Sequence, residues 1–282
     1  MSTLSLSPRT RRRLVDRGLD ALTWLVLGVM LAPVLWLVAA SLQTDGQLSN
    51  GTMDLLQPTF SAFRDMWDSV DFERYFINSL IIVTLAATLA TAFSASAGYA
   101  LSRFRFRGKA LVSLVLLLTQ TFPLVMVIPP IYRIMGQLGL TDNLYGLIII
   151  YTAFNIAFAT FLMQSFLDGV PKDLEEAAMI DGCTRLAALR RVILPLTLPG
   201  MGATVAFVFT AAWSELLFGL MLINSESQKT FSVGLLTFIG KFAVDWGQMM
   251  AASVLALIPV CLFFLFLQRY LVTGLTAGAV KG

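Results

Sequence analysis

Residues 168–195 read DGVPKDLEEAAMIDGCTRLAALRRVILP. This segment follows an uncharged run of 25 residues (143–167), and its last four residues begin another uncharged run of 23 residues (192–214). A helix needs about 20 apolar residues to cross the hydrocarbon core of a bilayer. We therefore predict that residues 168–195 form a polar loop between two membrane-spanning helices.

The loop has the signals of two short helices that lie along a membrane surface. Pro171 can take the first position of a helix, and Gly182 can adopt the left-handed conformation that ends it. Thr184 can cap a second helix, which Pro195 is expected to end. The first helix has acids suited to its N-terminal dipole (Asp173, Glu175 and Glu176) and a small apolar face (Leu174, Ala177 and Ala178).

The composition of the whole chain indicates that lipid is its solvent. Of the 282 residues 57% are hydrophobic and 13% are charged, with a mean hydropathy of +0.78. A soluble domain usually has about 25% charged residues, so an ordinary cytosolic enzyme is excluded. The chain has no histidine, which is the commonest general base and metal ligand. We predict an all-α membrane protein that is not an enzyme and binds no metal.

Six uncharged runs predict six membrane-spanning helices, because backbone polar groups in lipid must be paired within their own segment. The expected spans are about 21–44, 75–102, 110–132, 143–167, 196–222 and 246–268. They make up a transmembrane domain of residues 21–270, between an N-terminal arm (1–20) and a tail (271–282). The first span is too long for the apolar region of a signal peptide, so we expect it to be retained.

The distribution of basic residues predicts the orientation of the helices. Fifteen of the 20 Lys and Arg residues lie in the arm, the tail and the loops after the second and fourth spans. The other five lie in the alternate loops. Because cytoplasmic loops are enriched in Lys and Arg, we expect both termini in the cytoplasm of a cell that carries this protein in its inner or cytoplasmic membrane.

The sequence lacks the motifs of several alternative functions. It has no G-x-x-x-x-G-K-[ST] phosphate loop, no G-x-S-x-G, no H-E-x-x-H and no paired aspartates typical of an intramembrane protease. Cys183 and Cys261 lie in different parts of the fold and predict neither a disulfide nor a zinc site. A self-contained carrier usually needs a charge near the membrane midplane, and the nearest candidate is Glu215. Two possibilities are then left, a passive channel and a subunit that a partner drives.

The loop resembles the EAA signature of ABC importer permeases. Glu176-Ala177-Ala178 is followed after three residues by Gly182, and after nine more by Val192–Pro195, in which Val replaces the usual Ile. In that family the loop is a coupling helix seated in a cleft of the ATPase subunit. The resemblance implies a type I ABC importer permease bundle. Its ATPase-coupling residues would be Glu176, Ala177, Ala178, Asp181, Gly182, Leu194 and Pro195.

Three further segments resemble carbohydrate permeases of this family. Residues 97–109 (AGYALSRFRFRGK) are similar to A-Y-A-x-x-R-x-x-F-x-G-K, and residues 213–218 (WSELLF) are similar to W-N-E-F. Residues 268–282 resemble the end of the smaller permease subunit of maltose- and trehalose-type transporters. By this resemblance the tail contacts the ATPase pair through Thr276, Ala277, Gly278, Lys281 and Gly282.

The resemblance also implies a function and partners. The chain would be one permease subunit of an ATP-driven importer for an oligosaccharide or disaccharide such as maltose, maltodextrin or trehalose. The alternatives are an importer for another sugar or small polar solute, and a self-contained secondary carrier or channel. Its partners would be a homologous second permease, two ATPase subunits and an extracytoplasmic sugar-binding protein. The chain itself would bind no cofactor, since ATP and Mg would be held by the ATPase subunits.

Two sets of candidate site residues remain, both outside the loop. The last external loop would reach the binding protein through Gly240, Lys241, Phe242, Ala243 and Val244, although its aromatic residues equally suit an interfacial belt. The translocation pathway would be lined by Gln120, Asn155, Trp213, Ser214 and Glu215. Gln120 and Asn155 suit hydrogen bonds between helices as well.

Overall fold

The computed structural model describes residues 8–240 and 243–279, and the side chains of residues 16–240 and 243–268. Within these residues the chain is helical, and its β-structure is limited to an isolated bridge between Ile239 and Val244. The α-helices are α1 Pro8–Ser41, α2 Asp45–Ser49, α3 Ser61–Ser69, α4 Phe72–Arg103, α5 Lys109–Thr121, α6 Leu124–Gln137, α7 Leu144–Asp168, α8 Lys172–Ile180, α9 Arg185–Ala188, α10 Leu194–Leu196, α11 Leu198–Trp213, α12 Leu217–Leu222, α13 Phe231–Gly234 and α14 Trp246–Ala279. A π-helical turn, Leu189–Ile193, joins α9 to α10. The predicted all-α class is confirmed.

Four of the described helices are each long and apolar enough to cross a membrane alone. They are Asp16–Ser41 within α1, the whole of α4 and α7, and Trp246–Gln268 within α14. Two bent pairs of helices, Lys109–Thr121 with Leu124–Gln137 and Arg185–Leu196 with Leu198–Trp213, reach the same length and apolarity together. The structure thus has room for six crossings when each bent pair is counted as one.

The third predicted span is broken. The axes of α5 and α6 differ by 101°, and Phe122 between them has an extended backbone (φ −68°, ψ 130°). Pro123 lacks an N–H group, and its ring disfavours the helical conformation at the residue before it. The predicted span 110–132 is therefore made of two helices, α5 and α6, that meet at a sharp bend.

The fifth predicted span, 196–222, is also not one helix. The chain turns by 73° at Thr197, and Pro199 then occupies the first turn of α11, where its missing N–H costs no hydrogen bond. A second interruption separates α11 from α12, because the Glu215 side chain accepts the backbone N–H groups of Leu217 and Phe218 at 2.8 and 3.1 Å. These side-chain bonds replace the helical ones that would continue α11.

Contacts divide the chain into two compact units, of which the larger comprises Val70–Thr237 and Ala256–Gly282. Its centre is the pair α4 and α7, which approach closely at Gly98. A Cβ at Gly98 would lie 2.9 Å from the backbone N of Gln164, so no larger residue fits without a shift. Helix α11 packs on both, with Gly200 against the ring of Phe166.

The smaller unit comprises Met1–Ser69 and Phe238–Leu255. Its buried amide Gln43 is fully used, since Nε2 donates to the Asp54 carbonyl (3.2 Å) and Oε1 accepts the Asp54 N–H (2.9 Å). The Asp45 carboxylate accepts the N–H of Gly247 at 2.6 Å. The first residue of α2 is thereby joined to the start of α14.

Candidate functional site

The first half of the loop between α7 and α11 forms as predicted, with one shift. Pro171 precedes α8 with φ −55° and ψ 136°, one position earlier than expected. Gly182 follows α8 with a φ of +88°, which confirms the left-handed glycine. The Thr184 hydroxyl accepts the N–H of Ala187 at 3.3 Å, which confirms the cap of α9.

The prediction that Pro195 ends the second helix is wrong. Helix α9 continues through the π-helical turn into α10, so Pro195 lies within a helix and the chain turns only at Thr197. Pro195 is the second residue of α10, two residues before the bend at Thr197. The Thr197 hydroxyl donates to the carbonyl of Ile193 at 3.0 Å and satisfies one acceptor at the turn.

Helix α8 has an exposed face and a buried face. Leu174 and Ile180 are 43% and 86% exposed, and Ala177 is exposed between them. Ala178, predicted to share one apolar face with Leu174 and Ala177, is only 8% exposed, whereas those two residues are exposed. The outward face instead reads Leu174, Ala177 and Ile180, at intervals of three residues, and the carboxylate of Glu176 is exposed beside it.

The buried face of α8 carries a carboxylate. The side chain of Glu175 is 8% exposed and accepts a hydrogen bond from the Tyr99 hydroxyl at 2.6 Å. Its Oε2 lies 3.3 Å from Nε of Arg103, whose side chain is 5% exposed. This nitrogen lacks the alignment of a hydrogen bond, so the contact is an ion pair. A buried carboxylate is stable only when it is paired in this way.

Two further bonds join the loop to the end of α4. Arg103 donates from Nη2 to the carbonyl of Val170 at 2.8 Å, and the Ser102 hydroxyl donates to Oδ1 of Asp168 at 2.5 Å. Asp168 ends α7, and Val170 immediately precedes Pro171. One turn of α4 therefore binds both the end of α7 and the start of α8.

An apolar cluster lies beneath these polar contacts. Its buried members are Ala95 and Tyr99 of α4, Met163 and Leu167 of α7, and Ile193 of the π-helical turn. Partly buried hydrophobic side chains pack against it: Phe104, Val170, Leu189, Val192, Leu194 and Met201. The second half of the loop is held to α4 and α7 by this cluster.

Sequence analysis missed the role of Glu175, which it assigned only to the dipole of α8. Glu175 and Ala178 are three residues apart and share the buried face. A carboxylate on that face needs a cation, and the basic segment that begins at Arg103 offers one. Glu176, Asp181 and the other predicted coupling residues stay a prediction, because no partner chain is present.

The predicted binding-protein contact falls in a hairpin-like turn. Gly240 donates its N–H to the carbonyl of Ala243 at 2.9 Å, and Ile239 bridges Val244. Lys241 and Phe242 lie outside the described residues. In the predicted ATPase-contacting tail, the backbones of Thr276, Ala277 and Gly278 belong to α14, whereas Lys281 and Gly282 lie outside the described residues.

The two amides predicted to line a pathway are engaged in protein contacts. Gln120 donates to the carbonyl of Phe154 on α7 at 3.3 Å. Asn155 donates to the carbonyl of Tyr151, four residues earlier in the same helix, at 2.8 Å. These contacts favour the helix-packing alternative for Gln120 and a local helical bond for Asn155.

The other three pathway candidates lie at the break between α11 and α12. Trp213 is 7% exposed and stacks on Phe231 with ring centroids 5.7 Å apart. Ser214 donates to the carbonyl of Thr210 at 3.0 Å. Besides capping α12, Glu215 accepts the hydroxyl of Tyr151 at 2.9 Å. The structure brings these three residues together where α11 ends and α12 begins. The gap beside them has no space for a water molecule.

At the opposite end of α7, Asp142 joins the start of this helix to the segment after α12. Its carboxylate accepts the hydroxyl of Ser225 and the N–H groups of Ser225 (2.8 Å) and Asn224 (2.9 Å). Its own N–H donates to the carbonyl of Leu222 at 2.7 Å. These hydrogen bonds, the Ser225 hydroxyl first, hold the pKa of Asp142 below its usual value.

The lowered pKa of Asp142 predicts acid-sensitive stability. A carboxylate with a depressed folded pKa stabilises the fold above its unfolded pKa, and that contribution is lost as the pH falls through the folded value. We expect Asp142→Asn to lower the thermal midpoint at neutral pH and to reduce its fall between neutral pH and about pH 3, the range in which Asp titrates. Thermal unfolding in detergent measures both. Asp65→Asn, which removes an exposed carboxylate from α3, is the matched control. A wild-type profile for Asp142→Asn would contradict the prediction.

Comparison with known proteins identifies the family. Residues 87–276 match the family described as binding-protein-dependent transport system inner membrane component. The chain belongs to this family. An exposed face on α8 is consistent with membership of this permease family. Among the residues with described side chains, no group of three or more His, Cys, Asp or Glu could hold a metal ion.

Several curated relatives cover nearly the whole permease. It is 33% identical over 285 residues to a sulfoquinovosyl glycerol transport permease of Agrobacterium fabrum, with 100% of both chains covered. It is 36% identical over 275 residues to a diacetylchitobiose uptake permease of Streptomyces coelicolor (96% and 100% covered). It is 33% identical over 257 residues to a trehalose/maltose permease of Thermococcus litoralis (90% and 92% covered). The resemblance to carbohydrate importer permeases is thus confirmed.

Solved structures share the fold of this permease. A chain of a bacterial ABC transporter involved in alginate import matches with a TM-score of 0.76 at 23% identity, covering 95% of this chain and 100% of that one. A chain of a methionine ABC transporter matches with a TM-score of 0.61 at 17% identity (72% and 95% covered). At these identities the likeness concerns the fold alone, and it confirms the predicted ABC importer permease fold.

Proposed function

We propose that this permease is one of two transmembrane subunits of an ATP-driven, binding-protein-dependent importer, and that its substrate is a disaccharide or a short oligosaccharide. The family supports the class of machine. The substrate class is supported by relatives whose names carry trehalose, maltose and diacetylchitobiose. Maltose, maltodextrin and trehalose are the first sugars to test.

The observation that carries the mechanism is the division of α8 into two faces. Leu174, Ala177 and Ile180 form an exposed apolar stripe, with 43% exposure at Leu174 and 86% at Ile180, and Glu176 is exposed beside it. A small apolar stripe with the exposed carboxylates of Asp173 and Glu176 beside it suits a cleft in a partner protein. The other face is fixed to α4 through Glu175.

The proposed cycle uses no covalent chemistry of this chain. A homologous second permease completes the pathway, and two ATPase subunits bind ATP and Mg and hydrolyse ATP. Their closure moves α8, the helices rock, and the cavity opens toward an extracytoplasmic sugar-binding protein near the Gly240–Val244 turn. Such a subunit needs two packings of similar energy that its partners can bias. In this arrangement both termini and the α8 loop face the cytoplasm.

Sugar-stimulated ATPase activity tests the proposal. The permease, its partner permease, the ATPase subunits and the binding protein are reconstituted in proteoliposomes and given a panel of disaccharides and monosaccharides. We expect ATP hydrolysis and sugar uptake to rise together for one disaccharide class, and only when the binding protein is present. Omitting the binding protein is the control for basal hydrolysis. Uptake by this chain alone without ATP would overturn the proposal in favour of a self-contained carrier.

A further inference from the structure

Three residues in the last turns of α4 share one face and bind the loop before and within α8. Tyr99 and Arg103 hold Glu175, and Ser102 holds Asp168. Residues three and four apart on a helix lie side by side, so these side chains form one continuous surface. Within the part of the chain with described side chains, both polar partners of α8 itself lie on α4.

We propose that Tyr99, Ser102 and Arg103 are positioning residues that lock α8 to α4, so that movement of α8 is delivered to α4 in a fixed register. We call these three residues and their partners Glu175 and Asp168 the α4–α8 lock. The inference rests on the proposed function, because it assigns a route to the motion that the ATPase subunits would impose on α8. We call the exposed residues Leu174, Glu176, Ala177 and Ile180 of α8 the docking face. The lock would connect the helix that carries this face to α4.

The burial of the lock argues that it does more than stabilise the fold. A buried ion pair costs so much desolvation that well-packed apolar residues often stabilise a protein equally well. The hydrogen bond from the Tyr99 hydroxyl to Glu175, however, is directional, and it favours one relative position of the two helices more strongly than an apolar contact would. Arg103 adds a bond to the carbonyl of Val170, so the guanidinium fixes the approach of the chain to α8 as well as α8 itself.

Within the lock Glu175 and Arg103 are buried, whereas Asp168 is exposed. Phe104 meets the ring of Tyr99 edge-on at 5.8 Å, and the guanidinium of Arg185 covers Phe104 at 5.2 Å from its centroid. Arg185 is the first residue of α9. The loop thus borders Tyr99 through Phe104, and the low exposure of Arg103 and Glu175 strengthens the electrostatic contact between them.

The lock and the docking face use different residues. Leu174, Glu176, Ala177 and Ile180 point away from α4, whereas Glu175 points toward it. Changes in the lock should therefore leave the binding of the ATPase subunits intact. They should reduce the amount of sugar transported for each ATP hydrolysed, because α8 can then move without carrying α4.

The test compares four variants in the complete reconstituted complex. Tyr99→Phe removes only the hydroxyl. The pair Arg103→Met and Glu175→Leu replaces the ion pair by apolar side chains of similar size. The swap Arg103→Glu with Glu175→Arg keeps both charges but cannot keep the bonds to Val170 and Tyr99. Ser96→Ala, whose hydroxyl bonds only within α4, is the matched control.

We expect the apolar pair to keep the ATPase subunits on purification and to lower sugar transported per ATP by about tenfold, within the usual range of coupling between sites. Tyr99→Phe and the swap should lower it in the same direction, and Ser96→Ala should match the wild type. If the contacts only stabilise the fold, the apolar pair will transport as much sugar per ATP as the wild type. That result would overturn the proposal that the lock transmits movement.

Two other outcomes are equally decisive. If the apolar pair does not fold, Tyr99→Phe decides alone, and wild-type coupling in that variant overturns the proposal. Loss of the ATPase subunits from folded lock variants would also overturn it, because the lock would then shape the docking face. ATP-driven sugar uptake by the wild-type complex is measured before that of any variant. Its absence would refute the proposed function rather than the lock.

Discussion

The Glu176→Lys variant will purify without its ATPase subunits. Glu176 is exposed on α8 beside the stripe of Leu174, Ala177 and Ile180. We expect it to pair with a cationic group of the ATPase subunit, which a reversed charge would repel. Removing one partner of a buried interfacial charge pair costs about 2–5 kcal/mol, and reversal costs at least as much. The measurement is the ratio of ATPase to permease after affinity purification, together with sugar uptake in proteoliposomes.

The controls for Glu176→Lys separate docking from folding. An exposed surface residue usually changes stability by less than about 0.5 kcal/mol, so the thermal midpoint of the permease should stay near that of the wild type. Asp65→Lys makes the same change of charge on the exposed surface of α3 and should keep the ATPase subunits. A Glu176→Lys complex with its full complement of ATPase would refute the assignment of α8 as the docking helix.

Gly98→Ala will destabilise the permease although alanine is the better helix former. A Cβ at this position would lie 2.9 Å from the backbone N of Gln164, 3.0 Å from Cβ of Met163 and 3.1 Å from the carbonyl of Thr160. Two of these atoms belong to the backbone of α7 and cannot move aside alone. Overpacking of this kind costs about 1–3 kcal/mol, which exceeds the gain of about 1 kcal/mol in helix propensity.

Thermal unfolding in detergent measures the effect of Gly98→Ala. Gly136→Ala on α6 is the matched control, because a Cβ there meets no atom within 4 Å. We expect the control to melt at or above the temperature of the wild type, as helix propensity alone predicts. If Gly98→Ala melts as high as the control, the contact between α4 and α7 is looser than the structure indicates.

The parts of the site that depend on neighbours in sequence could be predicted. Gly182 and Thr184 act on residues within three positions of themselves, and their conformations follow from glycine and hydroxyl chemistry. Glu175 could not be placed in the same way, because its partner Tyr99 lies 76 residues earlier. A helical pattern tells which residues share a face but not which helix lies against that face.

The same distinction applies to the membrane spans: their positions could be predicted from the sequence, but the bends within them were not. Uncharged runs predicted where the chain can cross a membrane, because length and apolarity are properties of each segment alone. The bends at Phe122 and Thr197 were missed, although Pro123 marked one of them, since neighbouring helices often accommodate a proline in a span. Glu215 was predicted to line a pathway as one of the polar and aromatic side chains that a sugar cavity needs, and within this chain the structure uses it to cap α12.

The sharp bend after α5 has a consequence for the lipid around this protein. Helix α5 has 13 residues and is about 20 Å long, whereas the hydrocarbon core is about 30 Å thick. Because α6 leaves at 101°, it adds almost nothing to that length. If α5 stands upright in the bilayer, the mismatch is met by a locally thinned leaflet or by a neighbouring protein in place of acyl chains. In that position the permease would place its own demand on bilayer thickness.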